Sequence, residues 1–234
     1  MNDRRQLARA EAARQTRIRN RLMDAGVTLL DPATTFVDES VAIAADVVVH
    51  PQSYLRGATT IEAGAVIGPG AEIIDSAIGA GSRVWWSVVE GANVGRRVTI
   101  GPYFRIRPGT VLEDDVALGS FGEVKNSHVG ARTQMHHFSY LGDAEVGENV
   151  NIGAGAITCN FDGVNKHRTT IGADVFVGSD TMLIAPVEIG AGAMTGAGSV
   201  VTHDVPDGER VVGVPARRIA RRGEASKARG DKGP

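Results

Sequence analysis

Aliphatic residues return at every sixth position through the middle of the chain. The clearest positions are Val94, Ile100, Ile106, Leu112, Leu118 and Val124, followed later by Ile171, Val177, Leu183 and Ile189. A period of six matches neither an α-helix nor a simple alternating strand. It predicts short strands joined by tight corners, with one aliphatic side chain per strand pointing into a narrow prism.

Three hexads make one triangular coil, so residues about 18 apart should stack. The predicted fold class is all-β: a left-handed parallel β-helix, or hexapeptide-repeat solenoid, with an N-terminal α-helix. The left-handed path is an exception to the usual right-handed crossover. A weaker version of the pattern, out of phase with the rest, is expected from Val41 through Ile61, Ile67 and Ile78.

The two ends of the chain have a different character. Residues 3–24 are rich in Ala, Arg, Gln and Leu and predict a helix capped by Asn2 or Asp3, with Gly26 just past its end. The spacing of the apolar residues predicts a rough stripe along this helix, which consists of Leu7, Ala10, Ala13, Ile18, Leu22 and Ala25. We expect three parts: a linker-type helix (1–26), a β-helix acetyltransferase domain (27–205), and a C-terminal segment (206–234) with a disordered tail.

Composition bounds the function. A net charge of −2 gives no general attraction to nucleic acid or to an acidic membrane. The single cysteine, Cys159, excludes an internal disulfide framework. No apolar run reaches the roughly 18 residues of a membrane span, and the N-terminus lacks the apolar core of a signal peptide. A soluble, cytoplasmic protein is therefore expected.

The hexad phase breaks twice, between Val124 and Val146 and between Ile152 and Ile171. Extra residues at a corner must leave the prism as loops, and loops on a rigid scaffold often carry function. The two breaks contain the polar residues His136, His137 and Tyr140, and then Asn160, Lys166 and His167. These residues are the first candidates for a site.

Four segments carry a resemblance to a known family: RPGT, GEVKNSHVG, HFSYLGDAEVGENVNIGAGAITCNFDGVNKH and TTIGADVFVGSDTMLIAPVEIGAGA. They resemble the acetyltransferase half of the bifunctional glucosamine-1-phosphate acetyltransferase and N-acetylglucosamine-1-phosphate uridylyltransferase. The resemblance runs from about residue 2 to about residue 205 and includes the helix. The glycine-rich nucleotide loop of the family's other half has no counterpart in this sequence, which is either a natural half or a piece of a longer chain.

The resemblance implies an N-acetyltransferase. It would move the acetyl group of acetyl-CoA to the amine of glucosamine 1-phosphate, for the synthesis of UDP-N-acetylglucosamine and the cell envelope. It also implies a homotrimer with no metal required for acetyl transfer. The missing uridylyl transfer would then fall to a separate uridylyltransferase.

The resemblance also assigns roles to residues. His137 matches the general base, a role that suits histidine because its pKa lies near neutrality. His136 falls where the family usually has glycine. Glu123 matches the carboxylate that orients the base. Further matches are the phosphate-binding residues Arg107, Lys125 and Lys166 and the sugar-binding residues Tyr140 and Asn151.

Acetyl-CoA is expected in a groove between neighbouring subunits. The matched positions are the backbone of Ala154 and Ala197 together with Asn160, Phe161 and Ser179. Two positions depart from the family pattern. Phe161 stands where tyrosine is common, and Gly213 stands where an arginine for the CoA phosphates is expected, so Arg217 or Arg218 would have to substitute.

Other functions stay open at this point. They are a related hexapeptide acyltransferase acting on another amino-sugar phosphate, and a non-catalytic trimeric scaffold. Cys159 could act as a nucleophile with His137 as its base. A zinc site shared across a trimer is a further rival, although the six histidines, at 50, 128, 136, 137, 167 and 203, show no obvious pair with stacking separation.

Overall fold

The computed structural model describes residues 3–219 of the chain. Helix α1 spans Arg4–Asp24, a 3₁₀ turn spans Pro32–Thr34, and the other elements are short strands. The strands form three sheets around a triangular prism. Within the described residues, no helix is both long and apolar enough to cross a membrane. The predicted tail at 221–234 lies outside the described residues.

Each sheet takes one strand from each coil. Sheet A contains Thr28–Leu29, Val48–Val49, Val66–Ile67, Arg83–Val84, Thr99–Ile100, Ala117–Leu118, Gln134–Met135, Asn151–Ile152, Phe176–Val177, Met194–Thr195, Arg210–Val212 and Arg217–Arg218. Sheet B contains Phe36–Val37, Tyr54–Arg56, Glu72–Ile74, Val88–Glu90, Arg105–Ile106, Glu123–Lys125, Tyr140–Gly142, Ile157–Cys159, Met182–Ile184 and Val200–Val201. Sheet C contains Ala42–Ile43, Thr60–Ile61, Ala77–Ile78, Asn93–Val94, Val111–Leu112, His128–Val129, Ala144–Val146, Thr169–Ile171 and Val187–Ile189.

The strand pairing confirms the predicted fold class, a left-handed parallel β-helix with an N-terminal helix. Neighbouring strands in each sheet pair in parallel, as in the register Thr99↔Ala117. The exception among the described strands is the final hairpin, where Val211 pairs antiparallel with Arg218. Because Arg210–Val212 also pairs with sheet A, the coil stacking continues past residue 205. The proposed domain bounds stay a prediction.

One side chain per strand fills the prism. Ile100, Ile106 and Leu112 are at most 1% exposed, and the same holds along most of the column. Their burial stabilises the fold by roughly 1.5–3 kcal/mol for each side chain.

The out-of-phase pattern expected near the N-terminus is confirmed, because Ile61, Ile67 and Ile78 are all buried. Its phase differs from that of the later column because three steps between Ile73 and Val94 are five residues long instead of six.

The first phase break does not extrude a loop, so that interpretation was wrong. The column continues from Val124 to Val129, and later from Leu141 to Val146, through two corners of five residues instead of six. Each corner is shorter by one residue, which accounts for the lost phase without any insertion. The second break does contain an insertion. Residues 160–168 leave the prism between Ile157–Cys159 and Thr169–Ile171.

Helix α1 closes the N-terminal end of the prism with its second half. Its N-cap is Asp3, whose side chain accepts a hydrogen bond from the Gln6 N–H. Ile18 and Leu22 are buried against the first coils, whereas Leu7 is 52% exposed. The expected stripe is therefore wrong for the first half of the helix. Gln15 is buried instead and exchanges two 3.0 Å hydrogen bonds with the backbone of Val37.

The column generates a stability prediction. Ile100→Ala should lower the free energy of unfolding by about 2–5 kcal/mol, because the stacked coils above and below prevent collapse of the cavity. Val111→Ala is the matched control, since Val111 faces outward and is 38% exposed. Its cost should be about 0.5 kcal/mol or less. Urea denaturation followed by circular dichroism measures both, and equal losses would contradict the column as the stabilising element.

Candidate active site

Two edges of the prism carry the candidate residues. The A–B edge is the corner between sheets A and B, and it includes residues 136–139, 153–156, 178–181 and 196–199. The B–C edge is the corner between sheets B and C, from which the loop 160–168 leaves. The outer face of sheet B joins these two edges.

His136 and His137 lie on the A–B edge, directly after the strand Gln134–Met135. His136 follows the buried Met135, in the position that Gly119 and Gly153 occupy in adjacent coils. A Cβ on Gly119 would lie 1.9 Å from the His136 carbonyl oxygen, so the coil below tolerates only glycine. The His136 ring is exposed, with Nε2 3.2 Å from Oε1 of Gln134.

The His137 side chain is exposed and has no hydrogen bond or ion pair with any residue from 3 to 219. His137 belongs to a column of equivalent positions along the A–B edge, which continues in the later coils through Ala154, Ser179 and Ala197. Backbone hydrogen bonds hold successive coils together here, as from Asp180 N–H to the Ala154 carbonyl (2.6 Å) and from Gly198 N–H to the Ser179 carbonyl (2.8 Å). The column therefore forms a straight, regular edge beginning at a histidine.

This edge offers unpaired donors. The backbone N–H groups of Ala154, Ser179 and Ala197 have no hydrogen-bond partner within the described part of the chain. The side chains there are small, so a ligand could approach the backbone closely. A row of such donors fits an extended polar ligand or a developing negative charge.

The outer face of sheet B carries the charged candidates. The strand Glu123–Lys125 pairs with Tyr140–Gly142, which places Glu123 next to Tyr140. Arg107 donates from Nη1 to Oε1 of Glu123 at 3.0 Å. This hydrogen bond to Glu123 is the main cause that raises the pKa of Arg107. Glu123 was predicted to orient His137, but its partner in the structure is Arg107.

The three predicted phosphate ligands are brought together. The ammonium of Lys166, in the loop, lies beside that of Lys125 and lowers the pKa of Lys125 below its ordinary value. Loss of solvation and the Arg107 charge act in the same direction, and the Asp143 carboxylate opposes them. Cations held together in this way are typical of an anion site.

Asp143 supports this cluster and was missed by sequence reasoning. Its carboxylate accepts a hydrogen bond from Asn126 at 2.6 Å and one from Asn160 at 2.5 Å. Burial acts to raise the pKa of Asp143, but these hydrogen bonds and the nearby Lys125 and Lys166 outweigh it and lower the pKa. Asn160 is thereby fixed at the base of the loop, 7% exposed.

The loop itself is a short hairpin. Phe161 and Lys166 form an antiparallel bridge, and His167 N–H donates to the Asn160 carbonyl at 2.8 Å. The ring of Phe161 is 58% exposed, so it is available to a ligand. Asp162 at the turn was also missed, although its Asp-Gly sequence is a turn signal.

Some predicted residues lie elsewhere. Asn151 is on the outer face of sheet A, paired with Gln134 and Phe176, and not on sheet B with the cation cluster. At the C-terminal end Gly213 has a φ of +99°, a conformation that an arginine would adopt only with strain. The Arg218 side chain forms an ion pair with Glu209. The Arg217 guanidinium donates only to the Ala216 carbonyl, at 2.9 Å, among the described residues.

The rival chemistries depend on Cys159 and on the histidines. Cys159 is half-buried, and burial raises the pKa of its thiol, which lowers the fraction of reactive thiolate. His128 lies on sheet C between Glu113 and Glu145, and His167 pairs with Asp162. Across residues 3–219, no group of three or more His, Cys, Asp and Glu side chains is arranged so that it could hold a metal ion.

The stacked coils are those of a hexapeptide-repeat β-helix, and the comparisons with known proteins agree with this fold. Residues 168–203 match the family model described as bacterial transferase hexapeptide (six repeats). The chain is 50% identical over 206 residues to the bifunctional protein GlmU of Desulfitobacterium hafniense, covering 88% of this chain and 46% of that protein. With the GlmU of Rubrobacter xylanophilus the identity is 50% over 232 residues, 99% of this chain and 50% of that protein.

The chain is thus a homologue of the GlmU proteins, which confirms the resemblance, and it spans about half the length of the curated relatives it matches. Likeness to solved structures is weaker. The polySia-specific acetyltransferase NeuO matches with a TM-score of 0.42 and 19% identity, covering 85% of this chain and 91% of that one. An Arabidopsis UDP-N-acetylglucosamine acyltransferase matches with a TM-score of 0.42 and 16% identity, covering 79% and 74%. Nothing about this site follows from matches so distant.

Proposed function

We propose that the protein is an N-acetyltransferase that moves the acetyl group of acetyl-CoA to the amine of glucosamine 1-phosphate. The observation that carries the proposal is the cation cluster beside Tyr140, which is formed by Arg107 and Lys125 of sheet B and by Lys166 of the loop. An anionic sugar bound there would have its ring near the A–B edge, where His137 is exposed. The 50% sequence identity to GlmU, which is named as a bifunctional protein, supports the proposal that this chain carries out one of that protein's two functions.

The proposed acyl-donor site is the A–B edge. From His137 to Ala197 the edge spans three coil steps, or roughly 14 Å at the usual spacing between strands. The small residues and unpaired N–H groups of this edge fit a thin, amide-containing arm such as that of CoA. Asn160 and Phe161 would border the arm from the loop side. Arg217, free of a carboxylate partner among the described residues, is the candidate for the CoA phosphates.

When bound, acetyl-CoA supplies an activated acyl group. In the proposed mechanism His137 accepts a proton from the attacking amine, and the new N–C bond forms as the C–S bond breaks. The proton then passes to the departing thiolate, so that atoms and charge balance. Edge N–H groups stabilise the negative charge that develops on the carbonyl oxygen. Glu123 would turn from Arg107 to His137 once the sugar phosphate competes for the guanidinium.

A homotrimer is part of the proposal. Trp86, Tyr103, Phe121 and Phe138 line the A–B edge and are 41%, 56%, 66% and 58% exposed. The Tyr103 and Phe121 rings stack at 5.2 Å. We call these four side chains the aromatic ladder, and an exposed apolar surface of this kind is typical of an interface between proteins. A neighbouring chain would cover it and could bring its own Asn151 from sheet A to the sheet B site.

A cytoplasmic location and a role in UDP-N-acetylglucosamine and cell-envelope synthesis also belong to the proposal. The second candidate, a hexapeptide acyltransferase for another amino-sugar phosphate, shares the cation cluster and differs only in the sugar. The substrate assay below separates the two, and it also separates both from a non-catalytic scaffold.

The substrate prediction concerns phosphate. In a thiol-release assay, glucosamine 1-phosphate should react far better than free glucosamine or galactosamine 1-phosphate. Arg107→Ala should raise the KM for the sugar phosphate by about tenfold to a hundredfold, because one charge-assisted contact is lost. Its KM for acetyl-CoA should change little. Equal rates with free glucosamine would contradict the phosphate site, and no thiol release with any sugar would favour a scaffold.

The histidine prediction separates the adjacent pair. His137→Ala should lower kcat by about a hundredfold to ten-thousandfold, the usual range for a positioned acid–base group. His136→Ala is the matched control and should cost much less, since His136 replaces a corner glycine and faces solvent. Equal losses in the two variants would mean that the pair is structural.

The assembly prediction uses the aromatic ladder. Light scattering at micromolar concentration should report three chains of 24.5 kDa. Phe121→Asp should favour monomers because it places a charge in a buried apolar seam. Val164→Asp is the control, since Val164 is 82% exposed in the loop. A parent protein that is monomeric would contradict both the trimer and a site shared between chains.

A further inference from the structure

Lys166 is held in an unfavourable place. The base of its loop is anchored next to Lys125, because Asn160 donates to Asp143 at 2.5 Å and the preceding Gly142 pairs with Lys125. The ammonium of Lys166 interacts with that of Lys125, and Arg107 adds a third positive charge.

Like charges repel, so a free loop would swing Lys166 out into solvent. The exposed loop has no apolar packing to prevent this, because Phe161 is 58% and Val164 is 82% exposed. Polar contacts must hold Lys166 where it is.

Asp162 makes those contacts. Its Oδ1 accepts hydrogen bonds from the N–H groups of Val164 (2.7 Å) and Asn165 (2.6 Å). Its Oδ2 lies 2.6 Å from Nε2 of His167. The backbone adds a hydrogen bond from Asp162 N–H to the Asn165 carbonyl at 3.1 Å. One carboxylate thereby joins the turn of the hairpin to the residue that follows Lys166.

We propose that Asp162, together with His167, is a positioning residue that holds Lys166 against Lys125 and so pre-forms the site for the sugar's anionic group. We name this pair the loop clasp. The clasp acts through Lys166 and does not touch the reacting atoms. The inference rests on the proposed function for the identity of the anion, but not for the placement of the two lysines.

The charge state of the clasp suits this role. Hydrogen bonds from Asn165, His167 and Val164 lower the pKa of Asp162 to about 2. A depressed carboxylate pKa means that its contribution is present above the ordinary range near pH 4 and is lost as the pH falls toward 2. The Asp162 carboxylate is therefore ionised throughout the neutral range in which an acetyltransferase would be assayed.

The first experiment needs no substrate. The sequence has four lysines, Lys125, Lys166, Lys227 and Lys232, so their side-chain NMR signals can be assigned and titrated. If the clasp holds Lys166 in place, Asp162→Ala should raise the pKa of Lys125 toward the ordinary lysine value. Lys166→Gln should raise it similarly, and the double variant should add nothing further. An unchanged Lys125 in Asp162→Ala, with a shifted one in Lys166→Gln, would overturn the proposal.

The second experiment measures coupling. Asp162→Ala should raise the KM for glucosamine 1-phosphate by about tenfold, as when one charge-assisted contact is weakened, with a smaller effect on kcat. In the Lys166→Ala background the same change should have little further effect, because its route of action is already gone. Asp162→Asn retains an acceptor for the turn and should lie between the parent and Asp162→Ala. Additive losses would overturn the proposal.

The matched control is Glu148→Ala. Glu148 forms an exposed ion pair with Arg132 at a different corner of the prism. It should leave both the Lys125 pKa and the KM unchanged, and a Lys125 shift of the same size there would overturn the specific role of the clasp. If no amino-sugar phosphate proves to be a substrate, the proposed function fails, yet the NMR titration still decides whether Asp162 positions Lys166.

Discussion

The structure depends on a single packing rule, one aliphatic side chain per strand inside a prism too narrow for anything else. Residues such as Ile100, Val124 and Val177 are fully buried because the coils above and below close over them. A single coil would expose the apolar residues on its upper and lower faces, and the neighbouring coils bury them. The free energy of folding therefore comes from contacts between neighbouring coils along the whole stack. Every outward-facing position is then released from packing and can carry chemistry.

The candidate site uses that release in two ways. Along sheet B, parallel pairing stacks residues of successive coils, so Arg107, Glu123 and Tyr140 meet although they are far apart in the sequence. The loop 160–168 does the opposite, since it leaves the lattice of coils and must be organised by its own polar contacts. The rigid sheet supplies two cations, and the hairpin adds the third. An anion site divided in this way requires both parts to be preformed.

The sequence predicted the repeat well because periodicity reports burial directly. It predicted the insertion before Ile171, but it misread the interval from Val124 to Val146, since a lost phase cannot distinguish two shortened corners from one extruded loop. It also wrongly placed Leu7 in the packed stripe, because periodicity does not show that the first half of the helix extends past the coils on which the second half packs. The pairing of Glu123 with Arg107 was likewise out of reach, since a resemblance carries roles but not the partners of a ligand-free state. The roles themselves, including that of His137, stay predictions.

Regularity and function are distributed unevenly around the prism. From Ile100 onward, the step from sheet A to sheet B is always six residues, as from Met135 to Leu141 and from Ile152 to Thr158. The step across the B–C edge instead varies from six residues (Ile106 to Leu112) to four (Val201 to Val205), and this edge also accommodates the long loop. An extended ligand lying along an edge needs evenly spaced partners, and a one-residue change at any coil would displace its donors. A bulky polar cluster has no such requirement and can be built where the spacing is free to change. The even A–B edge from His137 to Ala197 and the irregular B–C edge around Lys166 therefore suit the two halves of the proposed transfer reaction. An extended donor would lie on the first edge, and a compact anionic acceptor beside the second.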